Sequence, residues 1–74
     1  MNGVQAMRDI LIDAGADGAD RSVLLERWMV LTKRTLPQAQ KTLYKLSAAG
    51  EVRFVERGAG RVVRTDRMKA GARG

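Results

Sequence analysis

At Gly50 the apolar pattern of this chain changes period. Upstream, apolar residues recur at the three-and-four spacing of a helix face; downstream, they alternate one by one. A chain of 74 residues with that switch is expected to fold as helices followed by a terminal β-hairpin. The length allows one small domain with a single modest core. The hairpin has to lay its apolar side on the helices, because two strands alone are marginal in water. The expected class is therefore α+β, mainly α.

Residues 35–50, TLPQAQKTLYKLSAAG, lead up to the switch. Thr35 is placed to cap the first free N–H groups, Pro37 suits a first turn, and Gly50 suits a left-handed stop. Leu36, Ala39, Leu43 and Leu46 fall at helical spacing and form a narrow apolar stripe. The opposite face carries Gln38, Gln40, Lys41, Thr42 and Lys45, with no acid before Glu51. A solvated surface usually mixes both signs. This one is suited to an anion.

Two helices are expected upstream. Residues 2–14 set Val4, Met7, Leu11 and Ala14 on one face, widened by Ile10, with Asn2 as cap and Gly15 as stop. Asp9 and Asp13 are read as part of its solvated face, since acid–base work by such a pair needs a cleft. Residues 16–21, ADGADR, read as a loop, too short for calcium and lacking the terminal Glu. Asp20 is placed to cap a second helix over residues 21–32. There Leu24, Leu25, Trp28 and Leu31 share a side that Met29 and Val30 thicken. Trp28, the single tryptophan, is expected in the core rather than stacked on a base at the surface.

Residues 32–34 make a short polar link to the third helix. Helix, tight link, helix is the shape of a helix-turn-helix, whose second helix enters the major groove. Lys33 and Arg34 then stand where phosphate contacts are expected. The link has no glycine, which would alter the angle between the helices. Beyond Gly50, residues 51–56 alternate around Val52 and Phe54, both expected to face the core, and residues 61–65 form a second β-branched run. Residues 57–60, RGAG, read as the turn between them, with Arg57 and Arg61 flanking the glycines. The GxG pair is not a nucleotide loop, which needs a strand before it and a helix after it. Residues 66–74 read as a flexible basic tail on a domain of residues 1–65.

Charge is segregated along the chain. Residues 1–32 hold three basic and five acidic residues, a net −2, whereas residues 33–74 hold eleven and three, a net +8. A basic half fits a polyanion, most often nucleic acid. There is no cysteine or histidine, so disulfides, the usual zinc ligands and the usual general base are all missing. No catalytic residue, metal or cofactor is expected. No apolar run approaches the ~20 residues of a membrane span, and no signal peptide precedes the first helix. The expected location is cytoplasmic, with no membrane partner.

Three helices and a hairpin, with a strand starting directly after a helix-ending glycine, resemble the winged helix-turn-helix domain. The most specific match is residues 35–52, TLPQAQKTLYKLSAAGEV. It is similar to the recognition helix and first wing strand of small stand-alone regulators of bacterial, phage or plasmid type. The resemblance covers residues 4–65. It implies a recognition helix over residues 36–49 with Gln38, Gln40, Lys41 and Lys45 facing the groove and Tyr44 at the margin. It also implies a wing over residues 57–61 with Arg57 and Arg61 on phosphate or in the minor groove. No catalytic residue carries over, because the family has none.

The expected function is sequence-specific binding of double-stranded DNA as a small transcriptional regulator. Glutamine is able to read an adenine edge and lysine the guanine acceptors, while arginines neutralise phosphates. The alternative is a protein-docking winged helix, such as a phage-encoded inhibitor or adaptor of a nucleic-acid-handling complex. A homodimer would add buried surface, although nothing in the sequence requires one. An enzyme is not expected: a nuclease needs clustered metal-binding carboxylates, and the acids here lie mainly in the other half of the chain.

Overall fold

A computed structural model describes residues 2–55 and 60–68. In chain order the elements are α1 (Gly3–Ala14), β1 (Ala19–Asp20), α2 (Arg21–Thr32), α3 (Leu36–Ala48), β2 (Val52–Val55) and β3 (Arg61–Arg64). The fold is α+β, mainly α: three helices and a small antiparallel sheet of order β1-β3-β2, the elements that a helix-turn-helix with a β wing requires.

The helix ends follow from local chemistry. Asn2 Oδ1 accepts from the N–H groups of Val4 and Gln5 at 2.8 and 3.3 Å, satisfying two free donors of α1. Gly15 takes φ 86° at its other end. The end of α3 is a Schellman turn. Gly50, at φ 76°, donates its N–H to Ser47 O, and Glu51 donates to Leu46 O, both at 3.0 Å. The returning strand locks this turn: Thr65 donates its N–H to Glu51 O and its hydroxyl to Gly50 O. Asp20 stands at the start of α2 but makes no side-chain cap, because its carboxylate is drawn to Arg61.

The core sits where all three helices meet the sheet. Met7 and Leu11 from α1, Leu24 and Trp28 from α2, Leu43 and Leu46 from α3, and Val62 from β3 are fully buried. Truncating any of the large ones should cost about 2–5 kcal/mol, a large share of a small domain's stability. The expected central seat of Trp28 is what the structure has. Its Nε1–H donates to Gly3 O at 2.7 Å.

Several apolar residues expected inside are not. Val30 is 72% exposed, Leu31 48% and Leu36 43%. Apolar residues run almost continuously around α2, so helical spacing could not say which side faces in. Leu36 lies at the first turn of α3, at the margin of the core. Phe54 is 41% exposed although its cross-strand partner, Val62, is fully buried. Both share the helix-facing side of the sheet, but β3 is the central strand and β2 an edge. Strand β1 lies within the segment expected to be loop, since two residues are too few to display a period. It turns the expected two-stranded hairpin into a three-stranded sheet. Residues 66–68, assigned to the tail, form a turn that packs Met68 against the core.

Gly18 makes β1 possible. It is buried at φ 73°, and a Cβ there would stand 2.0 Å from Val62 O and 2.8 Å from Val63 Cγ1. Gly15, at φ 86°, has nothing within 4 Å of that position. Gly15→Ala should therefore cost only the backbone strain, about 1–3 kcal/mol. Gly18→Ala should cost clearly more, since strand β3 must also move. Denaturant titration of the two variants measures the difference, and equal losses would mean that β1 does not touch β3 in solution.

Candidate nucleic-acid interface

The acids decide which cations remain at the surface. Arg8 on α1 donates from Nε and Nη2 to both oxygens of Glu51, at 2.7 and 2.8 Å. That hydrogen-bonded carboxylate raises the Arg8 pKa, against the opposing effect of desolvation. The bidentate pair pins α1 to the turn after α3. It also masks the first acid beyond the basic helix.

Arg61 is committed in the same way. Its Nε donates to Asp17 O at 2.7 Å, Nη1 to Asp20 Oδ1 at 3.0 Å and Nη2 to Gly18 O at 3.5 Å. It clamps the loop that carries β1 onto β3. Expected at a wing tip, Arg61 has its guanidinium turned toward residues 17–20. Arg57, its expected companion, lies outside the described residues. Arg53 lies on the far side of the sheet, beside Arg61 and Asp17 in a shallow cavity of about 670 Å³.

On α3 the residues separate by angle. With roughly 100° between successive residues, Ala39, Leu43 and Leu46 point to the core and are buried. Lys41 stands opposite them, with Gln38, Tyr44 and Lys45 to either side, and all four are exposed. Among the described residues no ion pair engages Lys41 or Lys45.

The two glutamines differ from expectation. Gln38 Oε1 accepts from the Thr35 N–H at 3.1 Å and from its hydroxyl at 3.3 Å, the backward arm of a capping box. Reading adenine in bidentate fashion needs that same oxygen. Gln40 is half-buried and turns toward α2, lining a groove with Leu25, Met29 and Leu36. Lys41 and Lys45 are thus the uncommitted polar groups at the centre of this face, with Tyr44 beside them accepting from Arg21.

The link also explains itself. Lys33 takes the left-handed conformation, φ 57° and ψ 40°, that the missing glycine would have supplied, and donates its N–H to Met29 O at 2.8 Å. Its side chain is exposed. The Arg34 guanidinium lies 6.0 Å from the centroid of the Trp28 ring, a cation–π distance. It is thereby held at the joint between α1 and α3.

Arg21 is the residue that sequence reasoning missed. Its Nη2 donates to Tyr44 Oη at 3.3 Å, and its backbone N–H donates to Gly60 O at 3.2 Å. The Nε of Arg21 is buried without a hydrogen-bond partner. One residue thus joins the start of α2, the outer face of α3 and the root of β3. The first position of a helix, directly after an expected cap, gave no sign of that reach. The chain matches no protein-family model, no curated protein and no solved structure. Among the described residues no group of three or more His, Cys, Asp or Glu is placed to hold a metal, and no helix is long and apolar enough to cross a membrane.

Two substitutions check this division of labour. Arg61→Ala should lower the unfolding free energy by about 1–3 kcal/mol, because a charged donor leaves the loop carbonyls and Asp20. Exposure of the Asp20 pair keeps the loss toward the lower end. Lys33→Gly should raise stability by up to about 1 kcal/mol, relieving the left-handed strain less the entropy that glycine adds to the unfolded chain. Equilibrium urea denaturation measures both. A destabilised Lys33→Gly protein would contradict the backbone angle at the link.

Proposed function

We propose that the chain binds double-stranded DNA as a small transcriptional regulator, with α3 in the major groove. The observation that carries this reading is the outer face of α3. There Lys41 and Lys45 stand exposed with no acid on the helix, while the nearest acid in sequence, Glu51, is taken up by Arg8. The chemistry is that of a cationic ridge meeting a phosphate-lined groove. Lysine reaches guanine O6 or N7 at the groove floor, and Tyr44 supplies a hydroxyl and a flat apolar ring at its edge. Lys33 precedes the helix and is free to meet the phosphate backbone. Arg21 supports the reading by tying the root of β3 to the same side as Tyr44, the side from which a wing would approach DNA.

Base reading rests here on few groups, since Gln38 and Gln40 are otherwise engaged. Most of the affinity is then electrostatic and falls steeply with salt. In fluorescence anisotropy with a random duplex at low salt, the protein should bind. On a random duplex both lysines rest on phosphate rather than on guanine, so Lys41→Ala with Lys45→Ala should weaken binding at least tenfold and flatten the slope of log affinity against log salt by about 1.8, two phosphate contacts' worth. If the parent chain leaves duplex DNA unbound at low salt, the reading falls and the protein-docking alternative replaces it.

A further inference from the structure

Helix α2 carries apolar side chains on its solvent side as well as its core side. Val23, Glu26, Arg27 and Val30 occupy positions i, i+3, i+4 and i+7 of one stripe, and all four are exposed. A groove runs along each flank. The first, of about 430 Å³, lies between α2 and the start of α3, with Met29 and Leu36 in its lining. The second, of about 360 Å³, lies toward α1 and is lined by Ile10, Leu31 and three members of the stripe, Glu26, Arg27 and Val30. A ridge with a groove on either side is the surface that one helix offers to another.

The order of side chains identifies the occupant. Apolar, acid, base, apolar is self-complementary about a two-fold axis passing between Glu26 and Arg27, with the second helix antiparallel. Val23 then meets Val30 of the other copy, Glu26 meets Arg27, and each contact occurs twice, as an isologous interface requires. A parallel pairing would set Glu26 on Glu26 and Arg27 on Arg27, which like-charge repulsion opposes. Within one chain Arg27 is held loosely. Its Nη2 lies 3.9 Å from Asp13 Oδ2, with both side chains more than half exposed, so it is free to turn to another carboxylate.

We propose that α2 is the interface of a two-fold homodimer, its two copies packed antiparallel about the midpoint of Glu26 and Arg27. The charge pairs set register more than strength. A twelve-residue helix spans roughly 18 Å, too little to cover the about 800 Å² per partner of a standard interface. The dimer is therefore weak and concentration-dependent. Lys41 and Lys45 line neither groove, so the contact does not draw on the α3 face.

Sedimentation velocity of the full chain, without nucleic acid, tests this from micromolar to millimolar concentration. The expected result is a shift from the 8.1 kDa monomer toward twice that mass. Glu26→Arg alone and Arg27→Glu alone should each weaken association roughly tenfold or more, since each change acts twice across the axis. The double variant should recover it. Val30→Asp should leave a monomer whose circular dichroism matches the parent's. A chain monomeric throughout the range overturns the proposal, as does a double variant no better than the singles. The Lys41→Ala, Lys45→Ala protein should dimerise like the parent, so loss of the DNA reading and loss of the dimer are separate results.

Discussion

Everything else in the molecule depends on the seat of Trp28. Its indole is fully buried in α2, and its N–H is satisfied by the first carbonyl of α1. An unsatisfied indole donor at that depth would cost on the order of 1–3 kcal/mol, so the bond fixes where α1 begins. The seat also leaves little room at Gly3. A Cβ there would lie 3.1 Å from the ring and 2.6 Å from the Arg34 guanidinium, which rests over the same indole. One side chain thus joins α1, α2 and the residue before α3. The exposure of α3 follows from that joint, because Ala39, Leu43 and Leu46 have only the α1–α2 pair and the sheet to face.

A second constraint is electrostatic. The chain carries more cations than acids, and the fold spends its acids selectively. Glu51 goes to Arg8 and Asp20 to Arg61, each tying together elements far apart in sequence. The Arg8–Glu51 pair is partly sheltered and the Arg61–Asp20 pair more exposed, and hydrogen bonds support both. The remaining acids of the helices lie on α1 and α2; Glu26 of α2 reaches the groove beside Leu36 and Gln40, and neither Lys41 nor Lys45 lines that groove. The basic character of α3 therefore does not come from its own two lysines alone. It arises because the nearest carboxylate is held elsewhere, and a charge left without a counter-ion stays available to a polyanion.

Much of this was legible before any coordinates. Asn2, Gly15 and Gly50 announced helix ends because each does something few other residues do: accept from free N–H groups, or adopt positive φ. The alternation after Gly50 gave the strands. What stayed hidden depends on contacts far apart in sequence. No local signal says that Arg61 will turn toward residues 17–20 rather than outward, or that Gly18 must pass against the Val62 carbonyl. Phe54 alternates correctly and is still exposed, since strand order, not period, decides which strand is central. Gln38 looked like a reader because it is exposed and polar. It is also three residues after Thr35, the spacing of a capping box, and that local bond engages it first.

Helix α2 poses the remaining question, because its apolar residues encircle it. A surface helix of a monomer usually separates its faces, and only Leu24, Leu25 and Trp28 are needed inside. The valines on its outer side gain nothing in the isolated chain and add to its exposed apolar area. The proposed two-fold through α2 would account for them, and it has a consequence for α3. Antiparallel copies of α2 place the two α3 helices in opposed senses, the relation of half-sites in an inverted repeat. On the proposed DNA-binding reading, a dimer too weak to persist alone would gain from a duplex carrying both half-sites, since binding one protomer raises the effective concentration of the other. Weak self-association and few base-reading side chains would be poor specifications separately. Coupled through the proposed axis, they would require two imperfect readers to agree.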